Sequence, residues 1–285
     1  MGPLTLPALA GALVPLEAGN YVSPGVRDFR YFCADHPEVQ AGNALAGCTF
    51  GVDWMNKPFW QAVIGAALVI VLWWLAARNL KKVPGKGQFF AEYVYSFVRN
   101  GIARDILGPE YRRYLPYLLG LFSFLLVNNW FGELFVFMLP TFSNIGYAWA
   151  LAIMSWLIYI GAGIQRHGAG KYFKMQLMPE GVPGYLLPVI IPLEFLSNFI
   201  TRPLTLALRL FANLFAGHLV VLVFVVGGAF LLTYPDNIFY NVSGAVSILF
   251  SFLILLLEIF IGALQAYIFT VLTAQYVHSS LAEAH

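Results

Sequence analysis

Charge is what this sequence has least of. Charged side chains make up only 11% of the 285 residues, against about 25% in an ordinary soluble domain. A water-bathed globule is excluded on that ground, and a net charge of +2 leaves no basic patch for nucleic acid. Cysteine is nearly absent, with Cys33 and Cys48 the only two. A disulfide-rich scaffold and a cysteine-built zinc site are therefore both out. There is no pair of Cys or His at metal-ligand spacing, no nucleophile elbow, and no Gly-rich loop followed by Lys and Ser or Thr. The sequence thus offers no metal site, no hydrolytic nucleophile, no nucleotide cradle and no bound cofactor. Lys and Arg are missing before Arg27, and prolines cut the first apolar run. The start MGPLTLPALAGALVPLEAG is accordingly not read as a signal peptide.

What the chain does have is apolar length. Hydrophobic residues account for 60% and aromatics for 16%, and the mean hydropathy is +0.74. Several runs are long enough to cross a bilayer as helices. The expected fold is an all-α membrane protein of about five membrane helices plus a surface amphipathic helix, the last two spans long and tilted as a hairpin. Residues 1–58, broken by six prolines, read as an N-terminal arm, and 59–285 as one polytopic membrane domain. Within it the spans are expected near 60–77, 114–139, 147–165, 188–232 and 239–277. Gln88 to Ile106 has the mixed polarity of a helix lying on the membrane surface.

Cationic residues cluster after the first span (Arg78 to Arg113) and in a basic loop after the third (Arg166, Lys171, Lys174). The connections after the second and fourth spans carry none. The positive-inside rule then puts the cationic segments and the C-terminus in the cytoplasm and the N-terminal arm outside. In that compartment Cys33 and Cys48, with fourteen residues between them, are expected to form a disulfide, free thiols being the alternative. The last two apolar segments exceed the roughly 20 residues that a perpendicular crossing needs, so both must tilt strongly.

Few polar groups sit inside these spans, and their placement carries the chemistry. On a helix at about 100° per residue, Glu194, Asn198, Arg202, Thr205, Arg209 and Asn213 fall on one stripe. Pro203 removes a backbone donor, which predicts a bend there. Arg209 stands among Leu206, Leu208, Leu210 and Phe211 with no opposite charge three or four residues away. A guanidinium cannot escape by losing its proton, and intramembrane ionisable groups usually face a cavity or a partner on an ion path. A snorkelling or structurally capped arginine is the plainer alternative. Small residues at Ala207, Ala212, Ala216 and Gly217 would let another helix pass close by. On the last span Ser247, Ser251, Glu258, Gly262 and Gln265 share a face about 60° wide. His218 lies about 13 Å beyond Arg209 along its helix and points to nearly the opposite side. The hairpin turn at Thr233–Asn237 brings it to the level of Glu258, where imidazole and carboxyl make a candidate proton relay. The plainer readings are a satisfied core histidine, a protonated glutamate, and serines bonded to their own helix.

The run RPLTLALRLFANLFAGHL, followed by EIFIGALQAYIFTVLTAQYV, resembles subunit a of the F-type ATP synthase membrane sector from Trp60 onward. The resemblance implies a proton-translocating stator subunit that performs no ATP chemistry itself. Its partners would be a ring of c subunits, each with one membrane carboxylate, and b-type peripheral stalk subunits in a bacterial plasma or organelle inner membrane. It assigns the stator arginine to Arg209, the neighbouring amide to Asn213 and the glutamine near the arginine to Gln265. His218 and Glu258 would line the outer half-channel with Ser247 and Ser251 as further lining, and Glu194 and Asn198 would line the inner one. Many bacterial members carry acid and imidazole at these two positions in the opposite order. A sodium-driven version is the nearest rival, and it would want more hard oxygen ligands than Glu258, Ser247 and Ser251 offer. A secondary proton antiporter would show paired broken helices in two halves, and a purely structural scaffold leaves Arg209 without a role.

Overall fold

The computed structural model describes residues 24–25, 57–78, 81–83, 85–133, 141–178, 185–233 and 238–282. Cys33, Cys48 and most of the N-terminal arm lie outside these residues, as do residues 234–237 of the hairpin turn. Among the described residues every regular element is a helix. Five stretches are long and apolar enough to cross a membrane, which makes this a multi-pass membrane protein.

Helix α1 (Lys57–Arg78) is followed by the amphipathic α2 (Lys86–Val98). The outer face of α2 carries exposed Phe89, Phe90, Tyr93 and Phe97, while Val98 is fully buried. A π-helical turn over Arg99–Arg104 and the short α3 (Asp105–Leu107) lead through a 3-10 turn into α4 (Tyr111–Glu133). Helix α5 (Ile145–His167) buries small residues, among them Ala148, Ala152, Ala162 and Gly163. It stops at Gly168, whose φ of +80° suits a residue without Cβ. The Gly168 N–H donates to the Ile164 carbonyl at 2.8 Å, closing the last turn. The expected basic loop is instead a helix, α6 (Ala169–Leu177). Its Tyr172 ring fills the space a Cβ on Gly163 would occupy, and its hydroxyl meets Ser280 Oγ at 3.3 Å. Burial pushes the Tyr172 phenol above its ordinary range.

The fourth apolar stretch opens as α7 (Leu187–Phe195), widens into a π-helical turn over Leu196–Thr201, and continues as α8 (Arg202–Thr233). Pro203 has no N–H for the preceding turn, and the backbone answers with this wider turn just before it. The single polar stripe expected from Glu194 to Asn213 is split by that change of pitch. Asn198 is buried and Glu194 half-buried, whereas Thr205, Arg209 and Asn213 are exposed. Helix α9 (Ile238–Leu281) has 44 residues, a contour of about 66 Å at 1.5 Å per residue. That is twice a hydrocarbon core of about 30 Å, so it cannot stand upright in a bilayer.

The chain divides into two compact units. The first comprises Met1–Gly65, Asn128–Asn144 and Asn213–Gly262; the second Ala66–Val127, Ile145–Ala212 and Ala263–His285. In the first, α8 and α9 run antiparallel. Ser247 Oγ donates across to the Phe224 carbonyl at 2.8 Å, and a Cβ on Gly244 would lie 2.7 Å from the Gly228 carbonyl oxygen. In the second, Trp73 Nε1 donates to Ser123 Oγ at 3.0 Å, joining α1 to α4. Tyr117 and Ser155 share a 2.8 Å hydrogen bond between α4 and α5. Where α4 begins and α5 ends, Arg113 bonds Gln165, and Arg166 pairs with Glu110 of the preceding 3-10 turn at 2.8 Å.

Candidate functional site

The site in the first unit is assembled from the last turns of α4. Asn129 Nδ2 donates to the Gly262 carbonyl at 2.9 Å, and Trp130 Nε1 donates to the Ile259 carbonyl at 3.1 Å. Two side chains of α4 are thereby fastened to the backbone of α9. Glu133 follows Asn129 by four residues and so lies on the same face one turn later. Its carboxylate oxygen Oε1 is 3.6 Å from Nδ1 of His218, and the two side chains are only 4% and 9% exposed.

His218 is oriented from its other nitrogen. Nε2 lies 3.0 Å from the carbonyl oxygen of Gly132. A carbonyl can only accept, so Nε2 carries the hydrogen and donates it. Nδ1 is left as the nitrogen that can take up or release a proton, and it is the one facing Glu133. Glu258, 4% exposed, completes the group. Its carboxyl occupies the space beside Gly217, where a Cβ would lie 2.1 Å from the carboxyl atoms. One nitrogen of His218 and one oxygen each of Glu133 and Glu258 lie within 4.8 Å of one another. Both Glu133 oxygens, His218 Nδ1 and Glu258 Oε2 have no hydrogen-bond partner among the described residues.

Three titratable groups this close in a buried setting form an electrostatically coupled set, in which the charge on each depends on the other two. The same three atoms are the one set of His, Cys, Asp or Glu among the described residues able to hold a metal ion. An imidazole and two carboxylates would suit a transition metal better than sodium, which prefers a shell of oxygens. Sequence reasoning placed Glu133 in the second span without giving it a role. Its position four residues after Asn129, at the C-terminal end of α4, was the available signal.

Ser247 and Ser251 do not join this cluster through their hydroxyl protons. Ser247 Oγ donates to Phe224, as above, and Ser251 Oγ donates to the Ile248 carbonyl at 2.7 Å. In the second unit Asn198 Nδ2 lies 3.0 Å from both Glu194 Oε2 and the Gln176 carbonyl oxygen. Tyr159 donates to the Asn198 carbonyl at 3.2 Å, and the Arg202 guanidinium sits 5.2 Å above the Tyr276 ring. Glu194 and Asn198 are thus in one polar network. Gln265 is 2% exposed on α9. Arg209 is exposed and makes no ion pair with a described residue, between the exposed Leu208 and the fully buried Leu210.

A family profile described as "ATP synthase A chain" matches residues 59–278. An ATP synthase subunit a from Nocardioides sp. is 41% identical over 272 residues, covering 94% of this chain and 96% of that protein. The subunit a of Pseudarthrobacter chlorophenolicus is 37% identical over 279 residues, covering 97% of this chain and 100% of the relative. That of an Arthrobacter sp. is 44% identical over 210 residues, covering 73% and 78%. The N-terminal arm, outside the profile match, is largely spanned by the first two of these alignments.

Proposed function

Since this chain belongs to the ATP synthase A chain family, we propose a division of labour among its residues for moving protons. The subunit is a non-catalytic membrane component that translocates protons as a stator, and ATP chemistry is carried out on other subunits. It grips a ring of c subunits, braced by b-type stalk subunits. Protons reach the ring carboxylates through an outer half-channel containing His218, Glu258 and Glu133. The mobile site on His218 Nδ1 passes a proton between the two carboxyls, while the Nε2–H bond to Gly132 holds the ring in place. A protonated ring carboxyl is neutral and can rotate through lipid. Its proton leaves on the cytoplasmic side through an inner half-channel lined by Glu194 and Asn198. The N-terminal arm faces outside and the C-terminus the cytoplasm, following the distribution of Lys and Arg.

Arg209 keeps the two paths apart. Its permanent charge holds an arriving ring carboxylate ionised and repels a proton attempting to cross directly. Asn213, one turn further along, and Gln265 assist it. One charge moving through 100 mV releases about 2.3 kcal/mol, so several protons must pass for each ATP made. The observation that carries this reading is an exposed guanidinium without a carboxylate on the helix that also supplies His218 to the buried cluster. The expected result for Arg209→Ala is an assembled complex with no ATP-coupled pumping. Arg209→Lys should fare little better, because a desolvated ammonium can lose its proton. Near-normal pumping by vesicles containing assembled Arg209→Ala protein would overturn the reading.

A further inference from the structure

The second unit holds a cavity of about 460 Å³ where α2 and its π-helical turn meet the start of α4. One end is basic. Arg99 Nη2 and Arg112 Nε both donate to the phenol oxygen of Tyr111, at 3.3 and 3.4 Å, so two guanidiniums converge on one point. Arg99 also lies 6.0 Å from the Tyr95 ring. Neither arginine pairs with a carboxylate among the described residues, and the adjacent Glu110 is engaged by Arg166. The other end is apolar, formed by Leu115 and Leu119. Phe89, Phe90 and Tyr93 on α2 are each more than 60% exposed, as expected of a face turned to lipid.

We propose that this cavity binds the phosphodiester headgroup of an anionic phospholipid, with an acyl chain along Leu115 and Leu119. Planar guanidiniums match phosphate oxygens in paired hydrogen bonds. These two, brought side by side by the Tyr111 oxygen, have further N–H donors and no carboxylate among the described residues to balance their charge. A free phosphate would meet the basic end and leave the apolar wall uncovered; a zwitterionic lipid would bring its own cation to the two arginines. An anionic lipid satisfies both ends. Basic residues near the membrane surface gain further from the negative potential of an anionic leaflet. The site would fix the depth and tilt of α2 against α4. It concerns anchoring in the membrane and stands independently of the roles given to Arg209 and His218.

The test uses the purified whole complex, stripped of lipid in detergent and titrated by native mass spectrometry. The probes are phosphatidylglycerol, phosphatidylcholine and inorganic phosphate. The wild type should hold one more tightly bound phosphatidylglycerol than Arg99→Gln/Arg112→Gln. At roughly fivefold per basic residue, that lipid should bind about thirtyfold more weakly in the double variant. The Arg99→Lys/Arg112→Lys variant, which keeps the charge and loses the planar fork, should recover part of the difference. Coupled proton pumping of the glutamine variant serves as the check of assembly. If that variant fails to assemble, the wild-type preference for phosphatidylglycerol over phosphatidylcholine and its partial retention in the lysine variant decide. Equal retention of phosphatidylglycerol by wild type and glutamine variant, no preference over phosphatidylcholine, or displacement by millimolar inorganic phosphate would each overturn the assignment.

Discussion

Replacing Gly217 by alanine adds one methyl group on the residue before His218. The new Cβ would stand 2.1 Å from the carboxyl carbon and both oxygens of Glu258. Because non-bonded atoms sit best at about 3.5 Å or more, the carboxyl must retreat by about 1.4 Å. The atoms displaced are the far end of a flexible side chain, so the shift costs the fold little and an assembled membrane complex should withstand it. The functional cost is larger, since a misplacement of about 1 Å in a reacting group can lower a rate about 100-fold. Passive proton conduction through the membrane sector, freed of its catalytic head and reconstituted in vesicles, should therefore fall by about two orders of magnitude. Glu258→Asp in the same chain withdraws the carboxyl by about one bond, roughly 1.5 Å. It should restore part of the flux lost in Gly217→Ala. Gly120→Ala is the control, because a Cβ there meets nothing within 4 Å. Conduction by Gly217→Ala within twofold of wild type, at equal assembly, would refute the argument that Gly217 makes room for the Glu258 carboxyl.

Four further outcomes are expected. His218→Glu with Glu258→His should recover part of the conduction that either single change loses, whereas additive losses in that double-mutant cycle would mean the two act independently. Glu133→Gln should slow passive conduction roughly 100-fold while leaving assembly intact, and wild-type flux would remove Glu133 from the relay. Gly163→Ala drives a Cβ to 2.1 Å from the Tyr172 ring; it should destabilise the second unit by about 1–3 kcal/mol without changing proton specificity, read as a lower thermal midpoint. Mass labelling of unreduced protein should find neither Cys33 nor Cys48 as a free thiol, and labelling of both would rule out the disulfide.

Arg209, His218 and Glu258 were legible in the sequence because each is an ionisable group within an apolar run, where its cost marks it out. The spans and the surface helix were legible for the same reason, from length and polarity. The third member of the cluster was hidden because its partner is non-local: Glu133 and His218 are 85 positions apart in sequence, and nothing local reports that contact. The fate of Ser247 and Ser251 was also out of reach, since a hydroxyl can equally line a path or bond a carbonyl. The stripe from Glu194 to Asn213 failed for a geometric reason. A constant 100° per residue takes no account of the π-helical turn at Leu196–Thr201. Lys171 and Lys174 read as loop residues because Gly168 precedes, and Gly170 lies in the first turn of, a short helix held by tertiary contacts of Tyr172.

The facing of α8 and α9 has a consequence for how such a chain can change length. Gly228 lies against Gly244, Phe224 accepts from Ser247, and Gly217 abuts Glu258. These contacts behave as a row of teeth at three levels along the pair. Removing one residue between Gly244 and Glu258 would turn the acid by about 100° around its axis and lift it by about 1.5 Å. The tooth at Gly244 would still engage while the one at Glu258 missed its slot. A seven-residue change would restore the face within about 20° and displace the acid by about 10 Å in depth. Neither preserves angle and height together. Among relatives that keep this acid and imidazole pair, gains and losses of residues should therefore fall outside 217–228 and 244–258.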